Sequence, residues 1–236
     1  MIGAGYVGLV SAACFSEFGW TVTCVDKNHA RIESLKRGEV PIYEPGLEDL
    51  MQRNIAAGRL SFSTDLGPAV ASADLIFLAV GTPKRRGDGH ADLSYIYAAV
   101  SEIAPHLTGF TVITTKSTVP VGTSREIARR LRELRPDADF AVCSNPEFLR
   151  EGSAIQDFTH PDRVLVGCED PRAREIMERL YKPLALRNAP IMFVSPESAE
   201  LAKYAANAFL AMKISFINEV ADLCEEVGAN VQEVAE

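Results

Sequence analysis

The chain has 236 residues, of which 47% are hydrophobic and 24% are charged, the balance of a soluble globular protein. Its net charge of −8 argues against nucleic acid or an anionic membrane as the main partner, because phosphate groups bind basic surfaces. The sequence has neither a signal-peptide pattern nor an apolar run of about 18 residues, the length that could span a bilayer. We therefore expect a cytoplasmic protein with a small-molecule partner.

Predicted strands and helices alternate along the first 195 residues. Met1-Ile2 has the length of a strand stub only, and further strands are predicted at residues 21–25, 60–63, 74–80, 110–116, 140–143, 164–168 and 191–194. Helices are predicted at residues 6–18, 28–36, 45–57, 93–106, 123–134, 171–181 and 196–227. This alternation predicts an α/β fold with a doubly wound, Rossmann-type, mostly parallel sheet.

The predicted helices carry two further expectations. Thr123 and Glu126 have the spacing of a capping box at the start of their helix. The last helix is unusually long and rich in apolar residues, which favours a linker or dimerisation helix. We therefore divide the chain into a dinucleotide-binding domain at residues 1–195 and the start of a helical domain at residues 196–236.

Cysteine and histidine spacing gives no indication of a disulfide framework or a metal site. The four histidines lack the spacing of metal ligands, so we expect no metal. The cysteines show no CxxC pair, and most lie in apolar segments typical of reduced, structural thiols. They are Cys14, Cys24, Cys143, Cys168 and Cys224.

The segment Gly3-Ala4-Gly5-Tyr6-Val7-Gly8 fits the GxGxxG pattern and lies between the strand stub and a helix. In this pattern Gly3 permits the tight turn, Gly5 lets a diphosphate approach the backbone, and Gly8 lets the helix pack on the strand. The start of the helix then offers free N–H groups and a partial positive charge to the phosphates. The alternative is a glycine turn without a ligand.

Asp26 ends the next predicted strand, where its carboxylate can accept hydrogen bonds from the adenosine ribose hydroxyls. The same charge would repel a 2′-phosphate, which favours NAD over NADP. Lys27 and Arg31 lie nearby, and a basic residue could accept that phosphate. A solvated aspartate is the alternative interpretation.

Two loops leave neighbouring strands at the edge of the sheet where ligands bind in such folds. Gly81, Thr82 and Pro83 follow the strand at 74–80, so we expect them to approach the cofactor. The segment Lys116-Ser117-Thr118-Val119-Pro120-Val121-Gly122 follows the next strand. A simple turn would explain its proline and glycine equally well.

Four polar residues are candidates for chemistry. Glu147 and Glu151 are one turn apart if their segment is helical, a spacing that suits acid–base work, although two solvated glutamates explain it as well. Lys203 and Asn207 share one face of the last helix, where they could polarise a substrate oxygen. A lysine that reaches out to solvent is the alternative.

Several longer motifs occur in order along the chain and carry a family resemblance. They are GAGYVG, VDKN, YEPGL, AVGTP, DGHADLSYI, KSTVPVGT, SNPEFLREG, HPDRVLVG and ELAKYAANAFLAMKISFINE. With them the sequence strongly resembles the UDP-glucose/GDP-mannose dehydrogenase family. The stretch DGHADLSYI favours UDP-glucose as the nucleotide sugar. GDP-mannose and UDP-N-acetylhexosamines stay open as alternative substrates.

The resemblance implies two successive NAD-dependent oxidations of the sugar C6 alcohol to a carboxylate, through a cysteine-bound thiohemiacetal and thioester. It implies an NAD site formed by Gly3, Val7, Gly8, Asp26, Arg31, Thr82, Thr118 and Glu151. Thr118 and Glu147 would position or activate the hydrolytic water, and Lys203 with Asn207 would stabilise the developing oxyanion. The nucleotide sugar would contact Lys203, Asn207 and the backbone of Phe148, Leu149, Arg150 and Glu151.

One feature departs from the family pattern. The family's nucleophilic cysteine lies in a Gly-Gly-Ser-Cys-Phe-Pro-Lys-Asp-like motif, and none of the five cysteines has that setting. We therefore expect an N-terminal portion that is inactive alone. The long last helix indicates a homodimer for the full-length protein. A single-step β-hydroxyacid dehydrogenase of the 6-phosphogluconate type and a non-enzymatic nucleotide-binding module are the competing interpretations.

Overall fold

Seven strands form the central sheet of the computed structural model, which describes residues 1–236. They are β1 (Val22–Val25), β2 (Leu60–Ser63), β3 (Leu75–Leu78), β4 (Thr111–Thr115), β5 (Phe140–Ser144), β6 (Val164–Gly167) and β7 (Ile191–Val194). The ends of each strand lie within two residues of the predicted bounds. Continuous apolar runs mark β3 (LIFL) and β6 (VLVG), which are mostly or fully buried, as expected for strands covered on both faces. Strand β2 (LSFS) alternates between buried and exposed positions instead.

The strand stub at the start of the chain joins the two halves of the sheet. Ile2 forms parallel bridges to Val25 and to Leu78, between the pair β1–β2 and the five strands β3-β4-β5-β6-β7. Its N–H donates to Phe77 O and its carbonyl accepts from Ala79 N, both at 2.8 Å. Only the pair β5–β6 is antiparallel. The predicted doubly wound, mostly parallel sheet is confirmed.

Ten α-helices connect or cover the strands. They are α1 (Tyr6–Glu17), α2 (His29–Lys36), α3 (Leu47–Ala56), α4 (Leu66–Ala71), α5 (Ser94–Ile103), α6 (Thr123–Leu134), α7 (Ala154–Thr159), α8 (Pro171–Ala185), α9 (Pro196–Val227) and α10 (Val231–Ala235). The prediction missed α4, α7 and α10, since five or six residues are too few to show a helical period. It also ended α8 four residues early.

Both faces of the sheet are covered by helices. On one face the ring of Phe15 from α1 stacks on Phe77 at 5.2 Å between centroids and meets Phe158 and Tyr181 edge-on at 5.0 and 5.5 Å. On the other face Ile96 of α5 and Ile127 and Leu131 of α6 are fully buried. Such two-sided burial holds the carboxyl ends of the strands in one row, where the site lies.

The predicted capping box at the start of α6 is wrong. Gly122, with φ of +93°, is the N-cap, and the Thr123 hydroxyl donates to Pro120 O at 2.6 Å instead. Glu126 pairs with two arginines of its own helix. The free N–H groups at the start of α6 bond to a residue that is distant in sequence. Glu200 of α9 accepts from Gly122 N and Ser124 N, both at 2.7 Å.

Helix α9 has the predicted bounds, but only its first two turns are docked. Pro196, Ala199, Glu200 and Lys203 are buried there. A Cβ on Gly167 would lie 2.6 Å from Pro196 Cα, so this glycine lets the helix approach β6. Most of the remaining helix is exposed. No helix of the chain combines the length and apolar character needed to cross a membrane.

Candidate functional site

The glycine loop has open space in front of the start of α1. Gly3 has φ of +102°, and a Cβ there would meet Ala79 O at 2.5 Å. A Cβ on Gly8 would meet Gly3 O at 2.0 Å, whereas one on Gly5 would meet nothing within 4 Å. No side chain caps the helix at Gly5, so its first N–H groups face this open space. A diphosphate fits such a place, because the donors and the helix dipole both favour an anion.

The Asp26 carboxylate joins the glycine loop to helix α2. Oδ2 accepts from Ala4 N at 2.8 Å and from Arg31 Nη1 at 3.1 Å, and Oδ1 accepts from Asn28 N at 2.9 Å. A carboxylate can accept about four hydrogen bonds, which leaves capacity for a ribose hydroxyl. Arg31 is engaged with Asp26, so its charge is partly neutralised where a 2′-phosphate would bind.

The loops after β3 and β4 are tied to each other at the carboxyl edge of the sheet. The Thr82 hydroxyl donates to Thr118 O at 2.9 Å, and the Ser117 hydroxyl donates to Val80 O at 2.6 Å. Gly81 and Pro83 are exposed on the same loop. The two loops therefore form one connected surface beside the glycine loop.

Glu147 and Lys203 form an ion pair that is nearly closed to solvent. Their Oε1 and Nζ atoms are 2.9 Å apart, and the side chains are 13% and 8% exposed. Glu147 Oε2 also accepts from Leu149 N at 2.6 Å. Lys203 Nζ lies 5.4 Å from the centroid of the Phe148 ring. The lysine is buried and paired, which excludes the alternative of a side chain that reaches out to solvent.

The other two polar candidates, Glu151 and Asn207, are exposed. The segment that contains Glu147 and Glu151 is not helical, so the two carboxylates are not one helical turn apart. Asn207 is exposed on α9, one turn beyond Lys203. The partner of Lys203 is thus Glu147 from a distant segment rather than its helical neighbour.

Two backbone donors of the predicted sugar-binding segment are already used within the chain. Leu149 N donates to Glu147, and Arg150 N donates to Asp157 Oδ2 at 2.8 Å. The Arg150 guanidinium also bonds Asp157, at 2.7 Å. Carboxylates therefore hold the shape of this loop, and the Arg150 carbonyl accepts a further hydrogen bond from Ser153 N at 3.0 Å.

A buried cluster that the prediction did not single out lies behind this loop. Lys116 Nζ donates to Asn145 Oδ1 at 3.0 Å, and the Tyr181 hydroxyl donates to the same oxygen at 2.5 Å. Burial lowers the pKa of Lys116 to about 8, which Glu147 partly opposes and Lys203 reinforces. The only signal in the sequence was a lysine at the end of an apolar strand. A cavity of about 530 Å³ borders this cluster and the loop.

Cys143, in the strand before Glu147, is not an activated thiol. All five cysteines are free, and four are buried. The pKa of Cys143 is raised, first because its thiol is hydrogen-bonded to Cys168 and then because it is buried. A thiol with a raised pKa is a poor nucleophile. Cys143 lies in β5, so the prediction that it is a strand residue is confirmed.

The sheet order, the glycine-lined start of α1 and the carboxylate after β1 together define a dinucleotide-binding domain of the Rossmann type. Residues 1–185 match the NAD binding domain of the UDP-glucose/GDP-mannose dehydrogenase family, and residues 197–236 match its central domain. The chain therefore belongs to this family of oxidoreductases, and NAD is its nucleotide. The resemblance predicted from the motifs is confirmed.

Individual relatives have the same fold and similar sequences. UDP-glucose 6-dehydrogenase of Rhizobium meliloti is 62% identical over 237 residues, which cover 100% of this chain and 54% of that protein. A UDP-glucose dehydrogenase from Pyrobaculum islandicum has a TM-score of 0.94 at 43% identity, covering 99% of this chain and 54% of that one. GDP-mannose dehydrogenase from Pseudomonas aeruginosa has a TM-score of 0.94 at 36% identity, with the same coverage. The chain spans about half the length of these relatives.

Proposed function

We propose that this chain is the NAD-binding part of a UDP-glucose 6-dehydrogenase. The reaction converts the C6 alcohol of UDP-glucose and one water into the carboxylate of UDP-glucuronate. Two NAD molecules each accept one hydride, and three protons are released. The proposal rests on the buried Glu147–Lys203 pair and the open glycine loop in a chain 62% identical to a UDP-glucose 6-dehydrogenase.

The glycine loop and Asp26 have the chemistry to hold the cofactor. Bound NAD supplies the hydride acceptor, while Gly5 and the start of α1 hold its diphosphate and Asp26 holds the adenosine ribose. Tyr6 and Val7 occupy the first turn of α1 against this site. Arg31 contributes by orienting Asp26 through their 3.1 Å contact.

The substrate side would use the ion pair and the connected loops. Lys203 would stabilise negative charge that develops on the sugar oxygen, because an ammonium in a water-poor site acts strongly on such charge. Glu147 and Thr118 would hold the hydrolytic water, and Asn207 would add a second donor to the oxygen. The backbone of residues 148–151, which includes Glu151, would contact the nucleotide sugar, and Gly81, Thr82 and Pro83 would face the nicotinamide.

The assignment is tested by binding and by stoichiometry. We expect residues 1–236 to bind NADH in calorimetry but not to reduce NAD with UDP-glucose. A form that contains the family's cysteine motif should release two NADH per UDP-glucose, and GDP-mannose should be a poor substrate. One NADH per sugar would instead indicate a single-step dehydrogenase, and preferred turnover of GDP-mannose would contradict the substrate assignment.

Lys203→Ala in the active form should lower kcat by about 10²–10³-fold, the usual effect of removing one oxyanion donor. Lys213→Ala is the matched control, because Lys213 is an exposed lysine of the same helix. Equal kcat values for the two variants would contradict the role of Lys203.

A further inference from the structure

Glu44 is a buried carboxylate that lies outside the Glu147–Lys203 pair. It belongs to the loop between α2 and α3 and is 6% exposed. Its Oε2 accepts from Gly152 N at 2.9 Å and from the Tyr6 hydroxyl, and its Oε1 accepts from Ile155 N at 3.3 Å. These three donors compensate for the cost of burying the carboxylate, and loss of any one of them would leave part of its charge without a hydrogen bond.

The donors to Glu44 come from the two halves of the site. Tyr6 is the residue after Gly5 and begins helix α1, where the diphosphate would bind. Gly152 ends the loop that begins at Glu147, and Ile155 lies in the first turn of α7. The Tyr6 hydroxyl also accepts from Gly152 N at 3.1 Å. A single cluster of three side-chain oxygens thus connects the nucleotide loop to the sugar-side loop.

No lysine or arginine is paired with Glu44, so neutral donors alone satisfy its charge. The pKa of Tyr6 is raised to about 12, first by burial and then by its bond to Glu44, so the hydroxyl keeps its proton and donates it. A hydrogen bond weakens steeply when its donor turns away from the acceptor, so it restrains the orientation of both groups more strictly than an ion pair does. A shift of α1 would therefore alter the hydrogen bonds that Gly152 N donates to Glu44 and Tyr6.

The opposite end of the same loop is held by the ion pair. Glu147, which binds Lys203, also accepts from Leu149 N at 2.6 Å. The segment 148–152 is consequently fixed at its start by the catalytic pair and at its end by Glu44 and Tyr6. Gly152 has φ of +85°, a conformation that favours glycine at the junction.

We propose that Glu44 and Tyr6 are positioning residues that couple occupation of the NAD site to the order of segment 148–152. Bound NADH immobilises the start of α1, and the Tyr6–Glu44–Gly152 contacts pass this restraint to the loop that would meet the nucleotide sugar. The inference rests on the proposed function, since it assigns the two loops to the two ligands.

Hydrogen exchange on the full chain of residues 1–236 tests the coupling without turnover. In the wild type, saturating NADH should slow exchange of the Gly152 and Ile155 amides. Glu44→Gln and Tyr6→Phe should raise their exchange rate without NADH by roughly tenfold, as expected for the loss of one hydrogen bond to a charged group. Both variants should also lose this slowing at NADH concentrations that saturate each variant.

Glu48→Gln is the matched control, because Glu48 is an exposed glutamate at the start of α3 whose carboxylate accepts a hydrogen bond from Gln52. If the wild type does not bind NADH, the proposed function itself fails. If it binds NADH but Tyr6→Phe and Glu44→Gln keep the slowing of Gly152 and Ile155, the coupling is wrong and the proposed function stands. Tyr6→Phe removes a single oxygen, so it keeps the test informative should Glu44→Gln unfold.

Discussion

The contact between Asp26 and Arg31 allows a test of the preference for NADH over NADPH. Arg31 is held by Asp26 Oδ2, so removal of the carboxylate frees a cation beside the adenosine ribose. Asp26→Ala should weaken NADH binding by about tenfold or more, given about 1.5–3 kcal/mol for a hydrogen bond to a charged group. The same change should raise NADPH affinity relative to NADH, because the freed guanidinium can pair with a 2′-phosphate. Calorimetric titration with both nucleotides measures the ratio.

Arg31 supplies the control for this change of preference. Asp26→Ala combined with Arg31→Ala should bind NADH as weakly as the single variant but lose the gain for NADPH. An unchanged NADPH-to-NADH ratio in Asp26→Ala would show that Arg31 does not reach the 2′ position.

Lys116 makes stability depend on pH in a predictable direction. In the unfolded chain its ammonium keeps its proton to about pH 10.5, whereas burial lowers the folded pKa to about 8. Between these values the unfolded state binds more protons, so the lysine's contribution to the free energy of unfolding rises with pH. Lys116→Met removes this rise and leaves Asn145 with the Tyr181 hydroxyl as donor.

The Met variant should therefore be at least as stable as the wild type at pH 7, because a buried charge with few partners is costly. Its advantage should shrink as the pH rises from 8 toward 10.5. Urea denaturation of both proteins across this range gives the difference directly. A constant difference would mean that Lys116 does not titrate in the window.

Local rules predicted the nucleotide loop but not the ion pair. The roles of Gly3 and Gly8 follow from clashes within a few residues, so the motif alone was sufficient to anticipate their geometry. Lys203 meets Glu147, which is 56 positions away, and no spacing in the sequence encodes that contact. Helical spacing pointed only to Asn207, four residues away, as a neighbour of Lys203, and did not reveal Glu147. Glu44 stood in a quoted motif, yet its burial depends on two loops that only the fold brings together.

Helix α9 is positioned by a close contact at Gly167 as well as by Glu200. A Cβ on Gly167 would lie 2.8 Å from Ala199 Cβ and 3.0 Å from Ser195 O. Relief of these clashes would require a shift of the α9 backbone, which costs free energy of folding. Gly167→Ala should lower the free energy of unfolding by about 1–3 kcal/mol, the usual cost of overpacking. It should also weaken NAD-independent protection of the α9 amides near Lys203 in hydrogen exchange.

Gly109→Ala, in the loop before β4, is the control, because a Cβ there meets nothing within 4 Å and the residue is exposed. Its stability should stay close to that of the wild type. If Gly167→Ala and Gly109→Ala are equally stable, the approach of α9 to β6 is looser than the contacts indicate.

Element bounds were predictable where one physical signal dominated. Helix α9 runs from a proline after a serine cap to a glycine in the left-handed conformation, and both ends were visible in the sequence. The start of α6 was predicted wrongly, since a capping carboxylate from 74 residues further along replaced the local Glu126. Short helices and the antiparallel pairing of β6 depend on tertiary packing, which propensity does not contain.

At the scale of the whole molecule, α9 exposes apolar side chains beyond its first two turns. Five exposed apolar residues recur along it at intervals of three, four and seven positions, which places them on one face. They are Phe209, Met212, Phe216, Leu223 and Val227. A continuous apolar stripe of this length in water favours association, since burial against a second stripe removes it from solvent.

Residues 1–236 should therefore associate with themselves as concentration rises, and Phe209→Ser with Phe216→Ser should shift the protein toward the monomer in sedimentation velocity. The matched control is Leu210→Ser with Ile214→Ser, which removes two exposed apolar residues from a different side of the same helix. NADH affinity should be equal in both double variants, because the stripe lies beyond the docked turns of α9. A wild type that stays monomeric, or a control that dissociates as readily, would mean that the stripe does not drive association.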